Sequence, residues 1–167
     1  MSMDEQIRLD IINYRRQKAH QLMCDVKVLM EHEMWNSTVN RLYYACFHMI
    51  SALLILYKIE VKTHLGVRQA FGLNFIKTRI LTPECGRIFT RLYDKRQSSD
   101  YDDFKEFTLE EVEDLYPQVR YLLKEVDDVI AKLMNDFPFY TKYEMTSADY
   151  GFITDKVNTA AIMATYV

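Results

Sequence analysis

Apolar residues recur every three or four positions along most of this sequence, and glycine and proline seldom interrupt the pattern. Only four glycines and three prolines occur among its 167 residues. In the first segment, 4–32, the pattern is carried by Ile7, Ile11, Tyr14, Leu22, Val26, Leu29 and Met30. This spacing places side chains on one face of an α-helix, whereas a strand alternates at every second residue. The sequence therefore predicts long amphipathic helices and an all-α fold.

Two more helices are expected in the first half of the chain. One starts at Asn36 or Ser37, either of which is a good N-cap, and runs to about Lys58 through almost wholly apolar sequence. Such a helix is typical of the centre of a bundle, where it is covered on several sides. The next helix is expected over about 63–77, although two internal glycines weaken it.

The last two helices have distinct starting signals. Thr82 precedes a proline and a glutamate, so the fourth helix is expected to begin there and to reach Arg96 or slightly beyond. Thr108 stands three residues before Glu111, which is the spacing of a capping box at the start of the fifth helix. Pro117 is expected to kink or restart that helix.

The C-terminal segment, 136–167, has no sustained period but is rich in aromatic residues. These are Phe137, Phe139, Tyr140, Tyr143, Tyr150, Phe152 and Tyr166. We predict that residues 1–135 form an antiparallel four- to five-helix bundle and that 136–167 is an aromatic extension docked on it.

Cysteine count and hydropathy narrow the classes of function. Cys24, Cys46 and Cys85 are odd in number and widely spaced, which argues against a disulfide framework or a zinc site. The chain does not open with the basic and apolar regions of a signal peptide, and its longest apolar stretch, 49–57, is too short to cross a bilayer. We therefore expect a cytoplasmic protein with no metal, no cofactor and no membrane association.

The charges are unevenly distributed although the net charge is only −3. Residues 58–96 carry nine Lys or Arg and three acidic residues, while 100–136 carry twelve acidic residues and four basic ones. One interpretation is a basic face for a phosphate-bearing ligand beside an acidic face for a partner. The other is two amphipathic helices whose solvated faces attract each other.

The second helix carries an unusual stripe of polar and small residues. At 100° per residue, one face about 100° wide holds Arg41, Tyr44, Ala45, His48 and Ala52. An arginine in so apolar a helix predicts either a carboxylate partner or a phosphate-shaped ligand. The two small residues would also let another helix approach closely, as in a dimer.

A second polar group is expected at the end of the fourth helix. If the helix continues past Arg96, then Asp100 lies one turn further on, and Tyr101 follows it. Such a group could grip a phosphate, with the carboxylate holding the guanidinium in place. The alternative is an ion pair between Arg41 and Asp100, with Tyr101 serving only in packing.

Four blocks of sequence follow one another in a recognisable order and spacing. They are Trp35 with Asn40-Arg41-Leu42-Tyr43-Tyr44-Ala45, Thr63-His64-Leu65-Gly66-Val67, Phe75-Ile76-Lys77-Thr78 and Arg96-Gln97-Ser98-Ser99-Asp100-Tyr101. Over roughly residues 10–135 the chain thereby resembles the small prokaryotic branch of the HEPN family. The resemblance implies a helical bundle that is usually a dimer. It also implies a minimal nucleotidyltransferase as partner, and many family members are RNA-cleaving toxins of toxin-antitoxin pairs.

The ribonuclease motif of that family is an arginine followed, after four to six residues, by a histidine. Arg96 matches the arginine, but no histidine follows it, and Tyr101 stands five residues on. Metal-free RNA cleavage needs a group that moves a proton near neutral pH, and an unperturbed tyrosine, with a pKa of about 10, is a poor base. His48 or His64 could supply that group from another helix, provided that the fold brings one of them to Arg96.

These observations lead to one main hypothesis and two alternatives. The main hypothesis is a nucleotide- or RNA-binding module that acts with a nucleotidyltransferase in a toxin-antitoxin-like system. Its ligand-binding residues are predicted to be Arg41, Tyr44, His64 and Asp100. The first alternative is a metal-independent ribonuclease toxin, whose catalytic residues are predicted to be Arg96, Tyr101 and His48. The second is a non-catalytic structural dimer in which the arginines form internal ion pairs.

Overall fold

The computed structural model describes residues 2–135, which form five α-helices and one π-helical turn. The helices are α1 (Met3–Glu31), α2 (Trp35–Leu56), α3 (His64–Phe71), α4 (Pro83–Tyr101) and α5 (Leu109–Met134). The π-helical turn, Gly72–Ile76, directly extends α3. No strand occurs within 2–135, so the all-α bundle predicted from the sequence is confirmed. The predicted extension over 136–167 lies outside the described residues.

The central element of the bundle is α2. The longest helix, α1, packs along it, and α4 and α5 pack against its other sides. Twelve of the 22 residues of α2 are buried. By length and composition α2 could also cross a membrane, but 61% of its most apolar stretch is buried inside the bundle. A covered core helix meets the same criterion, so this property is weak evidence for a membrane span.

The capping box predicted at the start of α5 is present. The Thr108 hydroxyl accepts a hydrogen bond from the Glu111 backbone N–H at 3.3 Å, and the Glu111 carboxylate accepts one from the Thr108 N–H at 2.9 Å. The helix then continues to Met134 without restarting at Pro117, which is buried. An internal proline costs about 3 kcal/mol. Burial of one whole face of α5 offsets that cost, since eleven of its residues are buried.

The start of α2 lies one or two residues earlier than the predicted start at Asn36 or Ser37, and Asn36 has a different role. The helix begins at Trp35, and its preceding residue makes no side-chain capping bond. The Asn36 amide instead donates to the Lys105 carbonyl at 3.0 Å and accepts from the Phe107 N–H at 2.7 Å. Asn36 therefore ties the start of α2 to the segment that leads into α5.

One ion pair is completely buried in the core. The Arg16 Nε donates to an Asp127 carboxylate oxygen at 2.8 Å, and neither side chain is exposed to solvent. The pair joins α1 to α5. Buried charges are stabilised only when they are paired and hydrogen-bonded, so this contact constrains how the two helices pack.

Part of the charge asymmetry is neutralised between α4 and α5. Arg91 pairs with Asp114 at 2.5 Å, and Lys95 pairs with Glu111 at 3.7 Å. These contacts correspond to the second interpretation of the charge pattern, in which two amphipathic helices attract each other. The acidic face of α5 is therefore partly occupied within the chain.

Candidate functional site

Arg96 lies on the C-terminal part of α4, against two tyrosines of α2. Its guanidinium carbon is 5.1 Å from the ring centre of Tyr43 and 5.3 Å from that of Tyr44. Both distances are within the range of a cation–π interaction. One turn further along α4, Asp100 forms an ion pair with the guanidinium at 3.3 Å. The predicted local pair of Arg96 and Asp100 is thus formed, because α4 continues to Tyr101.

His64 joins this group from α3. It is the first residue of that helix, where the Thr63 hydroxyl caps the helix by accepting from the Gly66 N–H at 2.9 Å. A hydrogen bond of 2.8 Å links His64 Nδ1 and the Tyr43 hydroxyl. The imidazole also stacks on the Phe47 ring, with centres 4.3 Å apart. These contacts fix the position of His64, and we call Arg96, Asp100, Tyr43, Tyr44 and His64 the Arg96 cluster.

The electrostatics of the Arg96 cluster keep its histidine neutral. Burial, followed by the nearby charge of Arg96, lowers the pKa of His64, while Asp100 opposes this shift. Burial raises the pKa of Tyr43 well above its usual range, and Arg96 offsets only part of that effect. Near pH 7 the cluster therefore holds a neutral imidazole, a protonated phenol and one ion pair between Arg96 and Asp100.

Arg96 has hydrogen-bonding capacity that the described part of the chain does not use. Its side chain is only 19% exposed, and its buried Nε has no hydrogen-bond partner among residues 2–135. Its carboxylate partner, Asp100, is 48% exposed. Because that Nε is shielded from solvent, an external anion would approach Arg96 from the side of the half-exposed Asp100, where a guanidinium donor can form a charge-assisted hydrogen bond.

His48 lies next to the Arg96 cluster but faces α1. Its Nδ1 accepts a hydrogen bond from Arg15 Nη1 at 3.1 Å. Burial, then the charges of Arg15 and Lys18, lower the pKa of His48 to about 4. No hydrogen bond or ring contact joins His48 to Arg96 in the described structure. One of its two nitrogens is therefore already engaged with Arg15.

Arg41 and Tyr101 are not part of the Arg96 cluster. Arg41 is exposed, and its guanidinium donates to the Asn40 side chain at 2.9 Å. The alternative ion pair between Arg41 and Asp100 is absent from residues 2–135, where Asp100 pairs with Arg96 instead. Tyr101 is 87% exposed at the last position of α4. The structure therefore does not bring either side chain to the group around Arg96.

The small residues of the α2 stripe are used inside the chain. Ala45 and Ala52 have no exposed surface, so the close approach that they permit is made by helices of the same bundle. The sequence had suggested that they form an open face for a second copy, but both are buried and supply no such face. An exposed apolar stripe lies instead on α1, where Ile7, Ile11 and Tyr14 are 49%, 43% and 63% exposed.

Sequence reasoning missed the role of Tyr43. The residue is fully buried in an apolar helix, so its pattern is that of a core side chain. Its hydroxyl nevertheless links His64 to the Arg96 group, across 21 positions of sequence. No local signal could have revealed this link, because the partner lies on another helix.

Among residues 2–135, no group of His, Cys, Asp or Glu is arranged to hold a metal ion.

The chain is similar to a known protein family and to several individual proteins. The HEPN domain family matches residues 12–129, a range that contains the whole Arg96 cluster. A UPF0332 protein of Thermotoga maritima is 36% identical over 126 residues, or 75% of this chain and 92% of that protein. A protein of Methanocaldococcus jannaschii described as a candidate toxin is 32% identical over 114 residues, or 65% and 85% of the two chains. A second protein of that organism, also described as a candidate toxin, is 35% identical over 97 residues. These residues make up 58% of this chain and 66% of that protein.

Proposed function

We infer that this chain, which belongs to the HEPN family, is the nucleotide- or RNA-binding member of a toxin-antitoxin-like pair. The Arg96 cluster receives a phosphate of the ligand. The single observation that supports this role is the state of Arg96, which is packed on two tyrosines and paired with one half-exposed carboxylate. A guanidinium is suited to phosphate because its donors form a planar fork. The toxin-like role is supported by the two relatives described as candidate toxins.

The partner we propose is a minimal nucleotidyltransferase, as the family resemblance implies. The acidic residues of α5 that α4 does not neutralise, such as the exposed Glu110, are the surface that we assign to it.

We also propose that the chain forms a homodimer. The exposed apolar stripe of α1, Ile7, Ile11 and Tyr14, supports this proposal, since burying such side chains is favourable. Light scattering at micromolar concentration tests it, and a strict monomer would contradict it.

RNA binding is tested by fluorescence anisotropy with a labelled 2′-O-methyl octauridylate, which has no 2′-hydroxyl for a ribonuclease to use. We expect Arg96→Gln to weaken binding roughly tenfold to a hundredfold, since a hydrogen bond to a charged group contributes about 1.5–3 kcal/mol. Arg87→Gln is the matched control, because Arg87 lies on the same helix with its side chain 72% exposed. Asp100→Asn should tighten binding, because it removes the carboxylate that competes with phosphate.

The outcome that contradicts this proposal is equal binding by Arg96→Gln and Arg87→Gln. Absence of any binding by the wild-type protein would contradict it as well. Circular dichroism of each variant shows whether the bundle is still folded, so that a loss of binding is not mistaken for a loss of structure.

A metal-independent ribonuclease is the second candidate, and the position of His64 favours it. In the tautomer that donates its Nδ1–H to the Tyr43 hydroxyl, the neutral imidazole can accept a proton from a 2′-hydroxyl at Nε2, and the nearby Arg96 can stabilise charge in the transition state. In this candidate mechanism, His64 supplies from α3 the proton acceptor that the sequence after Arg96 lacks. If this candidate is right, metal-stripped protein cleaves a mixed RNA pool, and both Arg96→Gln and His64→Gln abolish cleavage. Tyr101→Phe should leave cleavage intact, because Tyr101 is exposed and outside the cluster.

A further inference from the structure

A cavity of about 710 Å³ adjoins the Arg96 cluster. It lies between the N-terminal half of α1, the C-terminal end of α2 and the segment that leads into α3. His64 and Phe47, which stack on each other, form part of its lining. His64 therefore belongs both to the Arg96 cluster and to the wall of this cavity. Cavities of roughly 300–1,000 Å³ are typical of small-molecule and cofactor sites.

The charged residues that line this cavity are mostly basic. They are Arg8, Arg15, Lys58 and Lys62, with Glu60 as the acidic exception. Arg8 is paired with Glu5 at 3.6 Å. No ion pair engages Arg15, Lys58 or Lys62 within residues 2–135. We call this feature the basic cavity.

The positive charge of Arg15 in the basic cavity is not compensated by its hydrogen-bond partner. Its guanidinium donates to His48, and this histidine is neutral near pH 7 because burial and the adjacent charges lower its pKa to about 4. The hydrogen bond therefore brings Arg15 no compensating negative charge. The rest of the lining is largely aliphatic.

We propose that the basic cavity binds the phosphate next to the one held at Arg96, so that the ligand is a single-stranded RNA segment with at least two phosphates. This inference rests on the proposed function. The aliphatic wall takes the apolar surface of the intervening nucleotide, while Arg15, Lys58 and Lys62 attract its phosphate. A mononucleotide engages only one of the two places and binds more weakly than an oligonucleotide.

The salt dependence of binding measures the number of phosphates that are neutralised. For single strands, the slope of log K against log salt concentration changes by about 0.7 for each phosphate contact. We expect the double variant Lys58→Gln with Lys62→Gln to bind the labelled 2′-O-methyl octauridylate more weakly, with a slope smaller by about 0.7. Both lysines are exposed, so the double variant should fold. Lys77→Gln, an exposed lysine outside the cavity, is the matched control and should keep the wild-type slope.

Adenosine 5′-monophosphate is the second arm of this experiment, as an unlabelled competitor. Its inhibition constant should be the same for the wild-type protein and for the double lysine variant, because a single phosphate binds at Arg96. If the monophosphate loses as much affinity as the oligonucleotide does, the cavity is a mononucleotide site and the two-phosphate proposal is wrong.

Failure of this inference is distinguishable from failure of the proposed function. If the double lysine variant keeps the wild-type slope while Arg96→Gln still weakens binding, the cavity proposal is refuted and the proposed function stands. If Arg96→Gln binds as well as the wild-type protein does, the proposed function fails, and the inference that rests on it fails too.

Discussion

Removing one partner of the buried ion pair should destabilise the bundle more than any surface change. Arg16 Nε and the Asp127 carboxylate are 2.8 Å apart, and both side chains are fully buried. Asp127→Ala would leave the guanidinium of Arg16 without this carboxylate in the core. Breaking a buried pair in this way costs about 3–5 kcal/mol. The change in the free energy of unfolding is measured by urea titration, followed by far-ultraviolet circular dichroism.

The same change should be visible as a lower melting temperature. For a chain of this length, 1 kcal/mol corresponds to roughly 2–4 °C, so Asp127→Ala should melt roughly 6–20 °C below the wild-type protein. Asp114→Ala is the matched control, because Asp114 also pairs with an arginine but is about half exposed. An exposed pair contributes at most about 1 kcal/mol, which predicts a much smaller shift.

A double-mutant cycle with Arg16→Met tests whether the pair itself causes the loss. The double variant should lose less stability than the sum of the two single variants, with a coupling free energy on the order of 0.5–3 kcal/mol. Strictly additive losses, or an Asp127→Ala variant as stable as Asp114→Ala, would refute the argument that the paired charges decide the effect.

Three further predictions concern pH and local contacts. Since the pKa of His48 is lowered from 6.5 to about 4, the unfolded chain binds more protons in that interval, and stability should fall as the pH drops through it. His48→Gln cannot titrate, so it should reduce the dependence of stability on pH by at most about 1.4 kcal/mol per pH unit. Urea titrations at several pH values measure this slope, and an unchanged slope would contradict the lowered pKa of His48. Thr108→Ala should cost about 0.5–2 kcal/mol of unfolding free energy through loss of the capping box, and no measurable cost would count against it. Asn36→Ala should speed amide hydrogen exchange at Phe107, whose N–H loses its acceptor, and unchanged exchange would contradict that bond.

The helices could be predicted from the sequence because their signals are local. Period, caps and breakers act within a few residues, and the capping box at Thr108 formed as predicted. The exceptions have tertiary causes. Asn36 left its expected capping role because it bonds to the segment before α5, and α5 continued through Pro117 because one face of that helix is buried.

In the candidate site, too, local contacts could be predicted from the sequence and contacts between helices could not. The ion pair between Arg96 and Asp100 was readable in the sequence, because four residues make one helical turn and α4 is long enough to include both. The sequence by itself determined the all-α class, the starts of α4 and α5, and this local pair. Only the tertiary structure decided that Tyr43 and His64 join Arg96. It also decided that His48 bonds to Arg15. Arg41 and Tyr101 lie outside the Arg96 cluster for the same reason. The reason is physical: contacts between separate helices depend on how their buried faces pack, and no short-range pattern encodes that packing.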